Sequence, residues 1–539
     1  MLTTMKRVIL ILTMVATGIT VGCDLDRYPE TEMSEQNFWN PTAEAEFEYA
    51  ANYLYTRQPH FWGDMRGDDL RRRNYPSDIS AGTRKVPATS SDWSDPYKII
   101  FAANRIIEHA PERGTTANQI DRYVAEAYFF RASAYYALVT KFGGVPILTQ
   151  TATDINDPIL YGPRATRAEV MTQIYNDLDQ AALDLPLPSE MATNEYGRIT
   201  RTAAWALKAR AALYEGTRSK YHDGATGQPH LQAAYEAAWK VIESGEHSLY
   251  KQGTEPYKLL FEYAGEGAAE HIWVKLYGYP ETQILTHNMP YQYAVNYGVT
   301  RNFLNLYLQD TGEPYVDEPE LERSFNDYFE GRDPRLAQTV LKRGVQNYQV
   351  GLYTPTVDGF RARKWVRNDK ESDQPSTLDC SLLRYAEVLV TYAEARFEAT
   401  GKITDEELNQ TINLVRDRVG MPPLTNAFVD AHGLDMLTEL RRERSVELAL
   451  EGQRYDDLIR WKQAEMLLPV ALLGGKFIAG EYGNTSLGTM EERLNEDDII
   501  ILEEADTRFF DPERDYLYPI PSNDIAQSKG AVKQNPNWK

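Results

Sequence analysis

Apolar residues recur in alternating steps of four and three along much of this chain, and that spacing excludes most folds. Tyr123, Ala127, Phe130, Ala134 and Ala137 follow it, as do Ala204, Leu207, Ala211 and Tyr214. Such steps put side chains on one face of an α-helix, whereas a strand needs alternation at every second residue. Leu383, Ala386, Val390, Ala393 and Phe397 repeat the pattern, and Leu382, Tyr385, Leu389 and Tyr392 form a second stripe on the same segment. A helix apolar on two sides has to lie between neighbours. Alanine at the contact positions lets those neighbours approach closely. Large aromatics alternating with alanine in paired helices point to tetratricopeptide-like units, although no strict repeat of about 34 residues is present.

The spacing predicts helices over roughly 42–57, 95–109, 118–141, 167–184, 200–216, 230–243, 381–400, 404–419 and 433–466. Thr42, Asp95, Thr166 and Thr404 stand as N-caps, and Glu169 three residues after Thr166 completes a capping-box pattern. The remainder, about 58–94, 245–380 and 467–539, is rich in Gly, Pro, Asp and Tyr and lacks the helical period. Irregular segments of that length are usually functional. The expected fold class is therefore mostly α: a tetratricopeptide-like helix-pair scaffold with long irregular loops and minor β structure. It reads as one domain over 23–539, with a helical scaffold at about 40–245, a loop-rich ligand-facing insert at about 245–380, and a helical and irregular part at about 381–539.

The N-terminus carries an address. Lys6 and Arg7 precede a charge-free run from Val8 to Val21, shorter than the roughly 20 residues that span a bilayer. It ends in Ile19-Thr20-Val21-Gly22-Cys23, which resembles a bacterial lipobox with Thr20 where Leu is more usual. Residues 1–22 thus read as a lipoprotein signal peptide and Cys23 as the lipidated residue. A plain secretory signal before an incidental cysteine is the competing reading. With Cys23 lipidated, Cys380 is alone, and core burial must hold an exported chain without a disulfide. Cys380 opens a helical run and reads as a small packing residue. An excess of 79 acidic over 57 basic residues, formal charge −22, repels nucleic-acid phosphate and anionic lipid. Nucleic acid is not an expected partner.

Specific segments carry a family likeness. Residues 382–400, LLRYAEVLVTYAEARFEAT, and 441–461, RRERSVELALEGQRYDDLIRW, match its strongest patterns. FGGVPIL at 142–148, GRDPRL at 331–336, YPIP at 518–521 and QNPNW at 534–538 follow in order, as do the segments at 164–186 and 198–215. The chain resembles the SusD/RagB family of outer-membrane nutrient-binding lipoproteins over essentially all of 23–539. The resemblance implies a surface lipoprotein that sits as a lid on a SusC-like TonB-dependent transporter barrel and hands it oligosaccharide. It implies no cofactor and no chemistry.

Glu443, Glu447 and Glu451 lie four apart, about 6 Å per step along a helix face, and a carboxylate pair there would mimic a glycosidase. Arg444 three before Glu447 and Arg454 three after Glu451 supply neutralising charge, and Asp457 and Arg460 continue the alternation. Arg444, Glu447, Glu451 and Arg454 therefore read as a structural charge network. No histidine spacing fits a metal site, His271 and His287 lack a carboxylate at ligand spacing, and no nucleophile elbow appears. The loops remain. A pyranose presents an apolar C–H face and a hydroxyl rim, so it suits an aromatic ring beside Asp, Asn or Arg. Trp62 and Tyr75 flank Asp68, Asp69 and Arg72, and these five lead the ligand candidates, followed by Tyr291 and Tyr293. Asp68 and Asp69 either bond ligand hydroxyls or pair with Arg66 and Arg71. The run Arg71-Arg72-Arg73 is either a solvated charge run or a site for an acidic sugar. Trp93, Tyr97 and Trp273 read as packing residues. Two other functions compete: a surface glycoside hydrolase, and a helical-repeat lipoprotein that binds peptide or protein.

Overall fold

The computed structural model describes residues 38–39, 44–59, 65–73, 77–114, 120–278, 285–347, 351–366, 375–483, 485–486, 488, 490 and 493–539. Six helices come first: α1 (Glu44–Thr56), α2 (Ser91–His109), α3 (Ile120–Phe142), α4 (Arg167–Asp184), α5 (Arg201–His222) and α6 (His230–Ser244). From α2 onward each packs against the next. The chain then leaves this array, forms the short helix α7 (Pro334–Thr339), and returns with α8 (Tyr385–Thr400), which packs on both α6 and α5. The two apolar stripes of α8 explain its place: every residue from Tyr385 to Ala395 is buried. Ala203, Ala204, Ala209, Ala211 and Ala212 are buried along α5, where small side chains let neighbouring axes close in. The FGGVPIL segment is a second close approach, because a Cβ on Gly144 would lie 2.1 Å from the carbonyl oxygen of Ala165.

Helices that follow α8 include α9 (Asp405–Asn409), α10 (Ile412–Asp417), α11 (Met436–Glu447) and α12 (Arg454–Arg460). Among the short strands that pair antiparallel are β1 (Leu70–Arg72) with β3 (Tyr297–Val299), β2 (His271–Lys275) with β4 (Cys380–Arg384), and β5 (Leu472–Lys476) with β6 (Ile499–Glu503). The insert is not a set of open loops. Tyr257, Phe261, Tyr293, Tyr307, Phe325 and Phe360 are among the rings of a second core, which the insert shares with Leu450, Leu472 and Ile500 and which is separate from the core of the helical array.

Thr166 and Thr404 form full capping boxes with Glu169 and Glu407. Four expected boundaries shift, each for a local reason. The segment 381–400 begins as strand β4, because β2 offers it a pairing edge with Trp273 opposite Leu383, so Cys380 packs in a strand. Helix α2 starts at Ser91 after an extended Ser90, which places Asp95 inside the helix and beside Lys98, 2.7 Å away. The span 404–419 breaks at Thr411, whose φ of −136° and ψ of −91° are not helical. The span 433–466 is interrupted by Leu450 and Gly452 at φ of 60° and 75°, and again by Lys462 at 56°. Thr42 lies outside the described residues.

Candidate functional site

The turn between α11 and α12 is where the loops are held. Left-handed backbone costs a residue with a Cβ, yet Leu450 adopts it, and its carbonyl meets two buried donors of the insert. That oxygen accepts from the Tyr293 hydroxyl and from the Trp365 indole, both at 3.1 Å. The neighbouring Ala449 carbonyl accepts from the Lys364 ammonium at 2.7 Å. Arg454, at the start of α12, donates to both oxygens of Asp68 at 2.7 and 2.8 Å. One turn of the chain's strongest motif thus ties down the segments around Asp68, Tyr293 and Trp365.

Below the turn lies the carboxylate row, and its neutralisers differ from those expected at three-residue spacing. Glu447 accepts from Arg335 at 3.1 Å, Arg384 at 2.8 Å and Arg418 at 2.5 Å. Glu451 takes Arg384 at 2.7 Å and Lys364 at 2.6 Å, and Glu443 takes Arg335 at 2.6 Å and Arg416 at 2.8 Å. Arg444 turns to Asp457 at 2.9 Å. Arg460 and the Trp461 indole hold Glu394 at 2.7 and 2.6 Å, which accounts for the arginine–tryptophan pair that ends the motif. The partners come from elsewhere in the chain because these side chains point into packed neighbours and away from their own helix's solvent face. Burial, the largest influence on Glu447, pushes its carboxyl up, but Arg418, Arg384 and Arg335 together outweigh it and hold the group at about 2. Glu451 is likewise held low by Arg384 and Lys364 against burial. A general acid has to carry a proton near neutral pH, and neither group does.

The β1–β3 pairing brings together two candidate segments that are far apart in sequence. Leu70 lies opposite Val299 and Arg72 opposite Tyr297, and the Arg73 amide donates to the Asn296 carbonyl at 2.9 Å. The Thr300 hydroxyl donates to the Asp68 carbonyl at 2.6 Å. Arg71 lies 3.6 Å from Glu503, and burial lowers the proton affinity of its guanidinium. Arg73 pairs with Asp358 at 2.9 Å. The arginine run is therefore partly neutralised by acids from distant segments. Arg72 is exposed on this face and Tyr291 is 37% exposed.

Two ligand candidates take other roles. Tyr293 is fully buried, with its ring against Tyr297 at 5.5 Å and its hydroxyl on Leu450, so it is a core residue that no sugar reaches in this fold. Asp68 is buried against Arg454, and not paired with Arg66 or Arg71, so it anchors the loop and does not form its binding rim. Asp69 is buried beside it. Arg66 instead stacks on Tyr455 at 4.5 Å. Trp62, Tyr75 and Cys23 lie outside the described residues. Sequence reasoning missed Lys364, Arg384, Asp358 and Glu503. Arg384 alone left a trace, as the arginine of the LRYAE helix motif.

A second concavity of about 1120 Å³ lies on the helical side, lined by Trp39, Tyr49, Tyr53, Trp93, Tyr97 and Phe101 among others. Trp93 packs edge-on to Phe142 at 5.0 Å, and the Tyr97 hydroxyl donates to the Pro146 carbonyl at 2.9 Å, so both rings are structural and line the cleft with what remains. Trp273 is buried against Phe129 at 5.1 Å. Among the described residues no cluster of three His, Cys, Asp or Glu is placed to hold a metal ion. His271 bonds the Gly265 carbonyl, and His287 the Leu378 carbonyl.

Paired helices that hold a long insert against one charged turn define a helical-repeat binding scaffold. Residues 269–538 match a family model described as the SusD family, and 45–213 match one described as starch-binding associating with outer membrane. The first match spans half the chain, and the protein belongs to the SusD family. Among its relatives, SusD-like protein P38 of Formosa agariphila is 25% identical over 509 residues, covering 85% of this chain and 92% of that one. The starch-binding protein SusD of Bacteroides thetaiotaomicron is 25% identical over 396 residues, covering 65% and 66%. A crystal structure of a SusD-like carbohydrate binding protein from Bacteroides fragilis superposes with a TM-score of 0.74 at 23% identity, covering 91% of this chain and 99% of that one. A laminarin binding SusD-like protein superposes at 0.58 and 20% identity, covering 92% and 100%. These structural likenesses bear on the fold.

Proposed function

We propose that this protein is a lipid-anchored, surface-exposed outer-membrane protein that captures oligo- or polysaccharide and delivers it to a SusC-like TonB-dependent transporter barrel. It works without catalysis and without a cofactor. The observation that carries the reading is the loop face: β1 and β3 join two candidate segments, and the signature turn fixes both to the scaffold. Prepositioned loops bind with less ordering cost than free ones. Family membership supports sugar as the cargo, since the relatives include proteins named for starch and laminarin. The non-catalytic role is supported by Glu447 and Glu451, each committed to cations and held ionised. The signal peptide 1–22, the lipid on Cys23 and the single domain 23–539 rest on the sequence. No helix among the described residues is long and apolar enough to cross a membrane, so the lipid would be the anchor. An array of glycans and peptides tests the reading. Binding to one or more glycans, with no new reducing ends after incubation, supports it. Reducing ends would restore the glycoside hydrolase.

A peptide-capturing role has one observation in its favour, the cleft between α1 and α2. It is lined mostly by apolar rings and aliphatic side chains, with Tyr49 64% and Phe101 57% exposed. Peptide hits on the array, abolished by Phe101→Asp, would support that role.

A further inference from the structure

We infer that the outer surface of α6 and α8 carries a second carbohydrate site, which takes a neutral pyranose and is separate from the loop face. A cavity of about 510 Å³ opens there between the two helices. Its floor is aromatic. Tyr235 and Trp239 lie four apart on α6 and so share a face, and Tyr392 on α8 meets both, with ring centroids 6.4 Å from Tyr235 and 5.4 Å from Trp239. Tyr235 and Trp239 are half-buried, so part of each ring remains open to solvent.

The rim is built and held in place. Arg396, one turn beyond Tyr392, stands 5.3 Å over the Tyr235 ring and donates its Nε hydrogen to Glu407 at 2.7 Å. Its terminal guanidinium nitrogens have no hydrogen-bond partner among the described residues. Glu407 is fixed in turn by the Thr404 amide at 2.8 Å and hydroxyl at 2.9 Å, and it accepts from the Tyr392 hydroxyl at 3.2 Å. Burial opposes ionisation of Glu407, but the Thr404 and Arg396 hydrogen bonds hold its carboxyl below the ordinary carboxylate range. The capping box that starts α9 thus also orients the guanidinium. Lys240 and Glu236, exposed on α6, add a donor and an acceptor at the margin.

Rings beneath, a fixed planar donor at the side and carboxylates at the edge match a sugar's C–H face and hydroxyl rim. The choice of a neutral sugar follows from charge. Glu236, Glu243 and Glu407 outnumber Lys240 and Arg396 at the cavity, which disfavours sulfate, uronate or phosphate. This cavity shares no residue with β1, β3 or the signature turn. Two sites on one chain would raise the apparent affinity for a polymer above that of either alone.

The test is fluorine NMR on the full chain in mild detergent, with its nine tryptophans replaced by 5-fluorotryptophan. Trp239→Phe assigns the Trp239 resonance by its loss. The probes are maltohexaose, laminarihexaose and xylohexaose, with hexagalacturonate as the acidic control. The expected result is a saturable shift of the Trp239 resonance with at least one neutral probe and none with hexagalacturonate. Tyr235→Ala should weaken that binding roughly fivefold, about what one lost ring contact costs. A Trp239 resonance unmoved by all three neutral probes at millimolar concentration would overturn the proposal. Shifts confined to other tryptophans would overturn it too, while leaving the loop face as the sugar site. Because the readout is made on the parent protein, it does not depend on a variant folding.

Discussion

Replacing Glu447 by Gln keeps the shape of the side chain and removes its charge, so the buried guanidiniums of Arg335, Arg384 and Arg418 lose a shared counter-ion. The structure allows the cost to be worked in two ways. Breaking a buried pair by removing one partner costs about 3–5 kcal/mol. Independently, a carboxyl that ordinarily titrates near 4.5 is held at about 2, and at ~1.4 kcal/mol per tenfold this amounts to ~3 kcal/mol. The sign follows from the direction of the shift. A lowered carboxyl stabilises the fold above its unfolded value near 4.5, and that stabilisation is lost as pH falls through about 2. If the chain unfolds as one unit of roughly 500 residues, its unfolding entropy is ~1 kcal/mol per degree, so Glu447→Gln should lower Tm by about 3 °C at pH 7. Scanning calorimetry of parent and variant at pH 7 and pH 3 is the assay. The Tm gap should shrink by more than half at pH 3, where the unfolded parent's carboxyl is already protonated. An unchanged melting temperature at pH 7, or a gap that does not narrow on acidification, would refute the reasoning.

Asp68→Ala should also destabilise, by about 3–5 kcal/mol because Arg454 is left buried without its carboxylate, and it should weaken glycan binding by releasing the loop; normal melting with normal binding would remove Asp68 from the anchor role. Cys23→Ala should abolish labelling by a fatty-acid probe and release the protein or leave it unprocessed, whereas labelling equal to the parent would exclude Cys23 as the lipid site. Gentle detergent extraction should recover a complex with a large β-barrel protein. Repeated recovery of a lone monomer, with a suitable barrel in the same membrane, would count against delivery to a transporter.

The helical scaffold was legible because its signal is local. The two stripes of α8 and the capping box at Thr166 lie within a few turns of chain, so spacing alone reveals them. The carboxylate row was legible as a charge network, but its partners were not, because Glu447 draws on Arg335, Arg384 and Arg418 and Asp68 draws on Arg454, contacts set by tertiary packing. The insert was misjudged in kind. Its tyrosines suggest open sugar-binding rings, yet Tyr293 and Tyr307 are buried, packed into a core with Leu304, Val340 and other rings. Burial of a ring depends on which segments fold over it, and that is invisible to periodicity. Period does not separate strand β4 from the start of a helix, because five residues are too few.

We propose that sugar is held by the loop segment that carries Arg72, with Trp62 and Tyr75, named from the sequence, as its ring contacts. A ring contact of roughly 50 Å² at ~25 cal/mol per Å² contributes about 1 kcal/mol, which is about fivefold in affinity. The most direct measurement is titration calorimetry of the array's best glycan against the parent, Trp62→Ala and Tyr75→Ala, with the melting temperature of each recorded. Several-fold weaker binding in both variants, at nearly unchanged melting, is the result predicted. Binding equal to the parent's in both would contradict the assignment and place the sugar elsewhere on the molecule.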